Sequence, residues 1–178
     1  FRTDYQGSQY WSVEQTLIAD QVNSVPISTG GGAFSFTVNK GASDPMANVS
    51  CYVFTEAGVY LGMTSATDID GHVVFNLADG RYKIRADYMG YQFWSDVYEV
   101  PVDLSGTLSI GHSNVEVVVQ GRFQNAPNPI EGVGVYLFTP EGTYLNISQA
   151  TDSSGLVVFN LPDRPYKVRA VYLTRQYW

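Results

Sequence analysis

Apolar and polar residues alternate along this chain in short runs, and small or turn-forming residues interrupt the runs at regular intervals. Alternation with period two places successive side chains on opposite faces of an extended strand. On this pattern strands are predicted at 33–38, 49–55, 59–65, 72–77, 82–89, 91–100 and 107–110, with a further one at 115–119. The breakers between them are Gly-Ala-Ser-Asp-Pro at 41–45, Glu-Ala-Gly at 56–58, Asp-Ile-Asp-Gly at 68–71 and Ala-Asp-Gly at 78–80. Asp closes local turns onto its own backbone and Gly accepts positive φ, so these are turn signals with a mechanism. Short strands at this spacing predict a β-sandwich or barrel. Only residues 13–22 look helix-like. Their apolar spacing is irregular, and they take the place that 98–104, containing Pro101, holds further along, so strand and loop are predicted there.

The strand pattern repeats. Residues 49–94 align with 133–178 at an offset of 84 without a gap, and 24 of the 46 positions are identical. The shared phrases are V-x-x-Y-x-F-T, G-x-Y-L, A-T-D-x-x-G-x-V-V-F-N-L, Y-K-x-R-A-x-Y and Q-x-W. Residues 1–12 repeat 84–95 as a third, partial copy. Such self-similarity marks an array of one folding unit. The division expected is 1–31 as the closing strands of a preceding immunoglobulin-like repeat, 32–111 as a complete repeat, and 112–178 as a repeat lacking its last two strands. The short junctions, Gly-Gly-Gly at 30–32 and Gly-His-Ser at 111–113, suggest closely strung units.

The run T-D-x-x-G-x-V-x-F-x-L-x-x-x-x-Y-x-x-R, at 67–85 and again at 151–169, resembles the carboxypeptidase-regulatory-like and Cna B-type immunoglobulin-like domains of prokaryotic surface proteins. The resemblance implies an all-β fold of tandem, transthyretin-like sandwiches of about 83–84 residues that space, display or adhere. Some domains of that kind carry a Lys–Asn isopeptide bond with its Lys in the first strand. Neither 33–38 nor 115–119 contains Lys, so no such bond is expected.

Several groups are candidates for chemistry. Asp68 and Asp70 are spaced like the start of a calcium loop, but Ca²⁺ wants six to eight oxygens and the second copy keeps only Asp152. An Asp-led turn is the favoured reading. The aromatics Tyr91, Phe93 and Trp94 recur as Tyr177 and Trp178, and Tyr10 and Trp11 fall in the first copy. Exposed, they would form a platform for sugar rings. Retained in three copies, Trp94 and Trp178 are instead expected to be buried in the sandwich or against a neighbour. Lys83 with Arg85, and Lys167 with Arg169, lie on one strand face, either as a basic stripe for an acidic glycan or as a solvated face pairing with Asp79, Asp163 or Asp87. Cys51 is replaced by Val135 in the copy and reads as a small buried hydrophobe. His72 and His112 have no repeated counterpart, so no metal or catalytic constellation assembles. Asn48 and Asn146 head glycosylation sequons at different repeat positions.

Composition narrows the function. A formal charge of −7 argues against nucleic acid as partner, and no apolar run is long enough for a helical membrane span. One Cys permits no intramolecular disulfide, and only three Lys and two His are present. No enzyme activity and no cofactor are expected. The favoured reading is a structural segment of an extracellular or cell-surface repeat protein. It would form a stalk, adhesin arm or filament whose partners are neighbouring repeats, joined by head-to-tail strand completion. The alternative is a glycan- or surface-binding module using Tyr91, Phe93, Trp94, Tyr177 and Trp178.

Overall fold

A computed structural model describes residues 1–123 and 126–178. Every regular element among them is a strand. The chain forms two compact units, Phe1–Ser109 and Ile110–Trp178.

The first unit opens with the hairpin β1 (Arg2–Tyr5) and β2 (Ser8–Trp11). No strand forms from 12 to 31, so the strand expected within 13–22 is absent, and Val13, Leu17, Ile18 and Val22 are exposed. Then come β3 (Gly32–Lys40), β4 (Asp44–Pro45), β5 (Ser50–Thr55), β6 (Tyr60–Ala66), β7 (His72–Leu77), β8 (Gly80–Tyr88), β9 (Tyr91–Trp94), β10 (Tyr98–Val100) and β11 (Ser105–Ile110). One sheet runs β10-β8-β5-β6 with β9 also on β8; the other runs β11-β3-β4 with β7 also on β3. Two sheets facing across a common core make an immunoglobulin-like sandwich.

Alternation decides what enters that core. β7 reads exposed-buried throughout, turning Val73, Phe75 and Leu77 inward, while β3 turns in Phe34, Phe36 and Val38. The opposite sheet contributes Cys51, Val53, Tyr82, Ile84, Ala86 and Phe93. The strand predicted over 91–100 is in fact two. β9 and β10 both lie along the same edge of β8, interrupted where Ser95 replaces a ladder position. There the Ile84 N–H donates to Ser95 Oγ at 2.9 Å, and the Ser95 N–H donates to the Ile84 carbonyl at 2.9 Å. The first strand also extends beyond the predicted 33–38 and ends on Lys40, which stands 4.0 Å from Asp44 at the surface.

The second unit repeats this plan with β12 (His112–Val118), β13 (Gln120–Phe123), β14 (Ala126–Pro129), β15 (Gly134–Phe138), β16 (Tyr144–Ala150), β17 (Leu156–Pro162), β18 (Lys167–Tyr172) and β19 (Arg175–Tyr177). β12 pairs β17 as β3 pairs β7, and β16-β15-β18-β19 matches β6-β5-β8-β9 in order. Both copies carry the same irregularity, between Tyr52 and Phe54 and between Tyr136 and Phe138. At its centre Gly62 has φ 74° and its counterpart Asn146 has φ 58°. Likewise Asn48, at φ 59°, corresponds to Gly132, at φ 73°. Left-handed backbone admits Gly freely and Asn better than most residues, which accounts for an Asn heading each sequon at unrelated repeat positions. Both asparagines are exposed.

Candidate binding surface

The sequence-predicted aromatics separate according to strand face. β8 and β9 are joined by Met89 and Gly90, with φ of 47° and 74°, the two positive-φ centres of a type I′ hairpin. That turn fixes the register: Tyr88 faces Tyr91, Ala86 faces Phe93, and Arg85 faces Trp94. Ala86 and Phe93 point into the core. Arg85 and Trp94 therefore point out.

This corrects the expectation of buried indoles. Trp94 is 44% exposed and Trp178 is 67% exposed. Phe93 is correspondingly unavailable as a ligand platform, being 8% exposed. Tyr91 is half-buried. Tyr177 faces Ala170 on the core side of β18 and is exposed because the core there is open.

What the outer face carries is an arginine in an aromatic cage. The Arg85 Cζ lies 4.5 Å from the Tyr52 ring, 5.3 Å from Phe54 and 6.0 Å from Trp94. Phe54 meets Trp94 edge-on at 4.8 Å and Tyr60 at 5.2 Å. In the second unit Arg169 lies 5.0 Å from Tyr136, 4.8 Å from Phe138 and 5.5 Å from Trp178, with Tyr144 5.2 Å from Phe138. The first copy preserves the pairing alone, with Arg2 facing Trp11 and 5.9 Å above its ring. A guanidinium over aromatic faces is attracted by the ring quadrupole, and its planar fork remains available for a carboxylate. Tyr52, Tyr60, Tyr136 and Tyr144 were not singled out from sequence, although the repeated Y-x-F and G-x-Y phrases contain them.

Arg81 pairs with Glu56 at 2.8 Å and with Glu99 at 3.4 Å, while Arg85 pairs with Asp87 at 2.8 Å. Asp79 and Asp163 do not serve as the expected cross-strand partners. Asp79 accepts the Gly31 N–H at 2.6 Å, and Asp163 accepts the Ser113 hydroxyl at 2.6 Å.

Asp68 Oδ1 accepts the backbone N–H groups of Asp70 and His72, both at 2.9 Å. Asp152 does the same for Ser154 and Leu156, and these bonds, led by the Ser154 hydroxyl, hold its carboxyl below the usual range. Both carboxylates thus close the turn. Asp70 is exposed, and no group of three or more metal-ligating side chains occurs among the described residues. His72 is exposed, and His112 Nδ1 lies 2.9 Å from the Ile110 carbonyl.

Cys51 is fully buried, and burial, then the Asp87 charge, pushes its thiol up to about 12. Burial, then Tyr10 and Asp79, also pushes Tyr82 up to about 12. Both groups hold their protons in the fold beyond the pH at which the unfolded chain releases them, from ordinary values of 9.0 and 10.0. Stability is therefore full below pH 9 and falls as pH rises from there toward 12. Urea midpoints measured across that range should decline, and Cys51→Val, which installs the residue of the second copy, should flatten the decline. Equal slopes for both proteins would contradict this.

In the second unit a cleft of about 570 Å³ opens between the sheets, lined by Val117, Val119, Ile130, Val168, Ala170 and Tyr177 among others. In the first unit β10 lies on β8 and β11 lies on β3. Among the described residues, β18 and β12 carry no counterpart of either strand.

No protein-family model matches this chain, and no curated protein matches it. Among solved structures it is similar to the Bacillus anthracis TIE protein at 15% identity and TM-score 0.41, covering 83% of this chain and 30% of that one. It thus spans less than a third of that protein's length. It is similar to GBS52, the minor pilin of Streptococcus agalactiae, at 16% identity and TM-score 0.46, covering 79% of this chain and 83% of that one. It is similar to the shaft pilin SpaA of Lactobacillus rhamnosus GG at 12% identity and TM-score 0.37, covering 79% of this chain and 86% of that one. At these scores the likenesses transfer no function. No helix among the described residues is long and apolar enough to cross a membrane.

Proposed function

We propose that this chain is a structural segment of a long extracellular tandem-repeat protein, a stalk, adhesin arm or filament, and not an enzyme. The observation that carries this reading is that the turn and loop residues shared by the two units are consumed by architecture. Thr67 and Thr151 tie loop to strand, Asp68 and Asp152 close turns, and Gly71 and Gly155 hold positive φ. Tyr82 and Tyr166 each donate a hydroxyl hydrogen bond to the carbonyl four residues back. On this reading residues 1–31 belong with the closing strands of a preceding repeat, and the cleft beside β12 and β18 receives the closing strands of its own repeat. A strand added to such an edge satisfies backbone groups and covers apolar side chains, and a head-to-tail contact of that kind propagates. Sedimentation of the 178-residue chain over a range of concentrations tests this. Open-ended association is expected, and a folded monomer at every concentration would contradict it.

A second reading, glycan or surface binding, is favoured by one observation: Trp94 and Trp178 stand on an exposed sheet face beside arginines. Large aromatics kept at the surface in repeated positions are what a sugar platform requires.

A further inference from the structure

The Arg–Trp pairs differ in the anion each arginine meets. Arg2 has Asp4 two residues on, and Arg85 has Asp87; each arginine is ion-paired to its aspartate, at 3.2 Å and 2.8 Å. Residues two apart on a strand share a face, so each carboxylate neutralises its own guanidinium. In the second unit the place of Asp87 is taken by Val171. Arg169 keeps its aromatic neighbours and, like Arg85, has a buried Nε that makes no hydrogen bond, but Arg85 also donates from its Nη2 to Asp87 at 3.0 Å, whereas none of the ion pairs among the described residues includes Arg169. A partly desolvated guanidinium with no anion is a poor resting arrangement, because a donor that loses water gains nothing in return.

We propose that the outer face of the second unit, centred on Arg169, binds a carboxylated sugar. The carboxylate approaches from solvent and supplies the charge that Asp87 supplies in the first unit, accepting from the outer end of the planar Arg169 fork. The sugar ring lies on the exposed aromatics flanking it, Trp178 at 67% and Tyr144 at 38% exposure. A ring with apolar C–H faces matches that flank better than an acidic peptide does. Because the chain carries a net charge of −7, diffuse attraction does not draw polyanions to it, and selection rests on this local geometry. The first unit has the same cage closed by its own aspartate, so it serves as an internal control. The proposal rests on the second reading above and names its ligand class.

The test is isothermal titration of the 178-residue chain with trigalacturonate, with the neutral galactose trisaccharide and with hexaglutamate. One equivalent of trigalacturonate is expected to bind, with the neutral sugar and the peptide each at least about tenfold weaker, since each lacks one half of the recognition. Val171→Asp should weaken trigalacturonate binding by at least about tenfold, because it restores the internal carboxylate. Asp87→Val should add a second equivalent, and this variant carries the test should Val171→Asp fail to fold. Equal binding of neutral and acidic sugars would overturn the carboxylate site while leaving the glycan reading standing. No sugar binding would overturn both, and binding of hexaglutamate as tightly as of trigalacturonate would overturn the sugar assignment. Trigalacturonate binding indifferent to Val171→Asp and Asp87→Val would place the ligand elsewhere and overturn the proposal.

Discussion

Replacing Thr67 or Thr151 by Val should destabilise its unit by about 2–4 kcal/mol, although the side chain barely changes volume. Thr67 is 3% exposed and makes four hydrogen bonds. Its carbonyl accepts the Asn48 N–H at 2.9 Å and its N–H donates to the Val49 carbonyl at 3.0 Å. Its hydroxyl accepts the Val49 N–H at 3.0 Å and donates to the Met46 carbonyl. Thr151 makes the same four bonds to Gly132, Val133 and Ile130. The Val substitution leaves a buried N–H and a buried carbonyl without partners, each costing roughly 1–3 kcal/mol. Thr→Ser keeps both bonds and should lose much less. Urea unfolding of each variant decides the matter, and a Val variant within about 0.5 kcal/mol of the parent would contradict the assignment.

Gly71→Ala and Gly155→Ala should cost a comparable amount, for backbone reasons. The two glycines have φ of 75° and 72°. A Cβ at Gly155 would stand 2.5 Å from the Val119 carbonyl oxygen and 3.1 Å from Ile130 N; at Gly71 it would stand 2.7 Å from the Val38 oxygen. Neither backbone oxygen can withdraw freely. Val38 and Val119 also donate their own N–H groups to these glycine carbonyls, at 2.9 and 2.8 Å. Left-handed conformation alone costs about 1–2 kcal/mol for a residue with a Cβ, and the clash adds to it, so a loss of about 2–4 kcal/mol is expected from thermal or urea unfolding. Gly132→Ala is the comparison: its φ is also positive, but nothing lies within 4 Å of its Cβ position. Equal losses at Gly155 and Gly132 would show that close approach contributes nothing.

The strands, turns and repeat were legible because each rests on local signals: alternation of Val and Phe with polar residues, Asp and Gly at turns, and 24 identities in 46 positions. The split of 91–100 at Ser95 was not, since a serine that takes over one ladder bond leaves no periodic trace. Absence of strand over 12–31 was not legible either, because alternation says which residues suit a strand and not what they pair with. The indoles were misplaced for a different reason. Alternation puts Trp94 opposite to Phe93 but does not say which of them faces the core. The answer lay in the two-residue turn at Met89 and Gly90, which sets Arg85 across from Trp94. An arginine on the solvated face carries its cross-strand neighbour there with it. The four-bond role of Thr67 and Thr151 depends on the loop at 46–49 and 130–133 folding back, a tertiary fact invisible to pattern.

Hydrogen exchange of the 178-residue chain, with and without a peptide of residues 95–111, tests the central claim most directly. That peptide carries the closing strands β10 and β11 of the first unit. The account predicts that, without peptide, amides of β12 and β18 exchange faster than their counterparts in β3 and β8, and that the peptide slows them. Equal protection of the two units without peptide, and no change on adding it, would contradict a repeat that depends on strand completion.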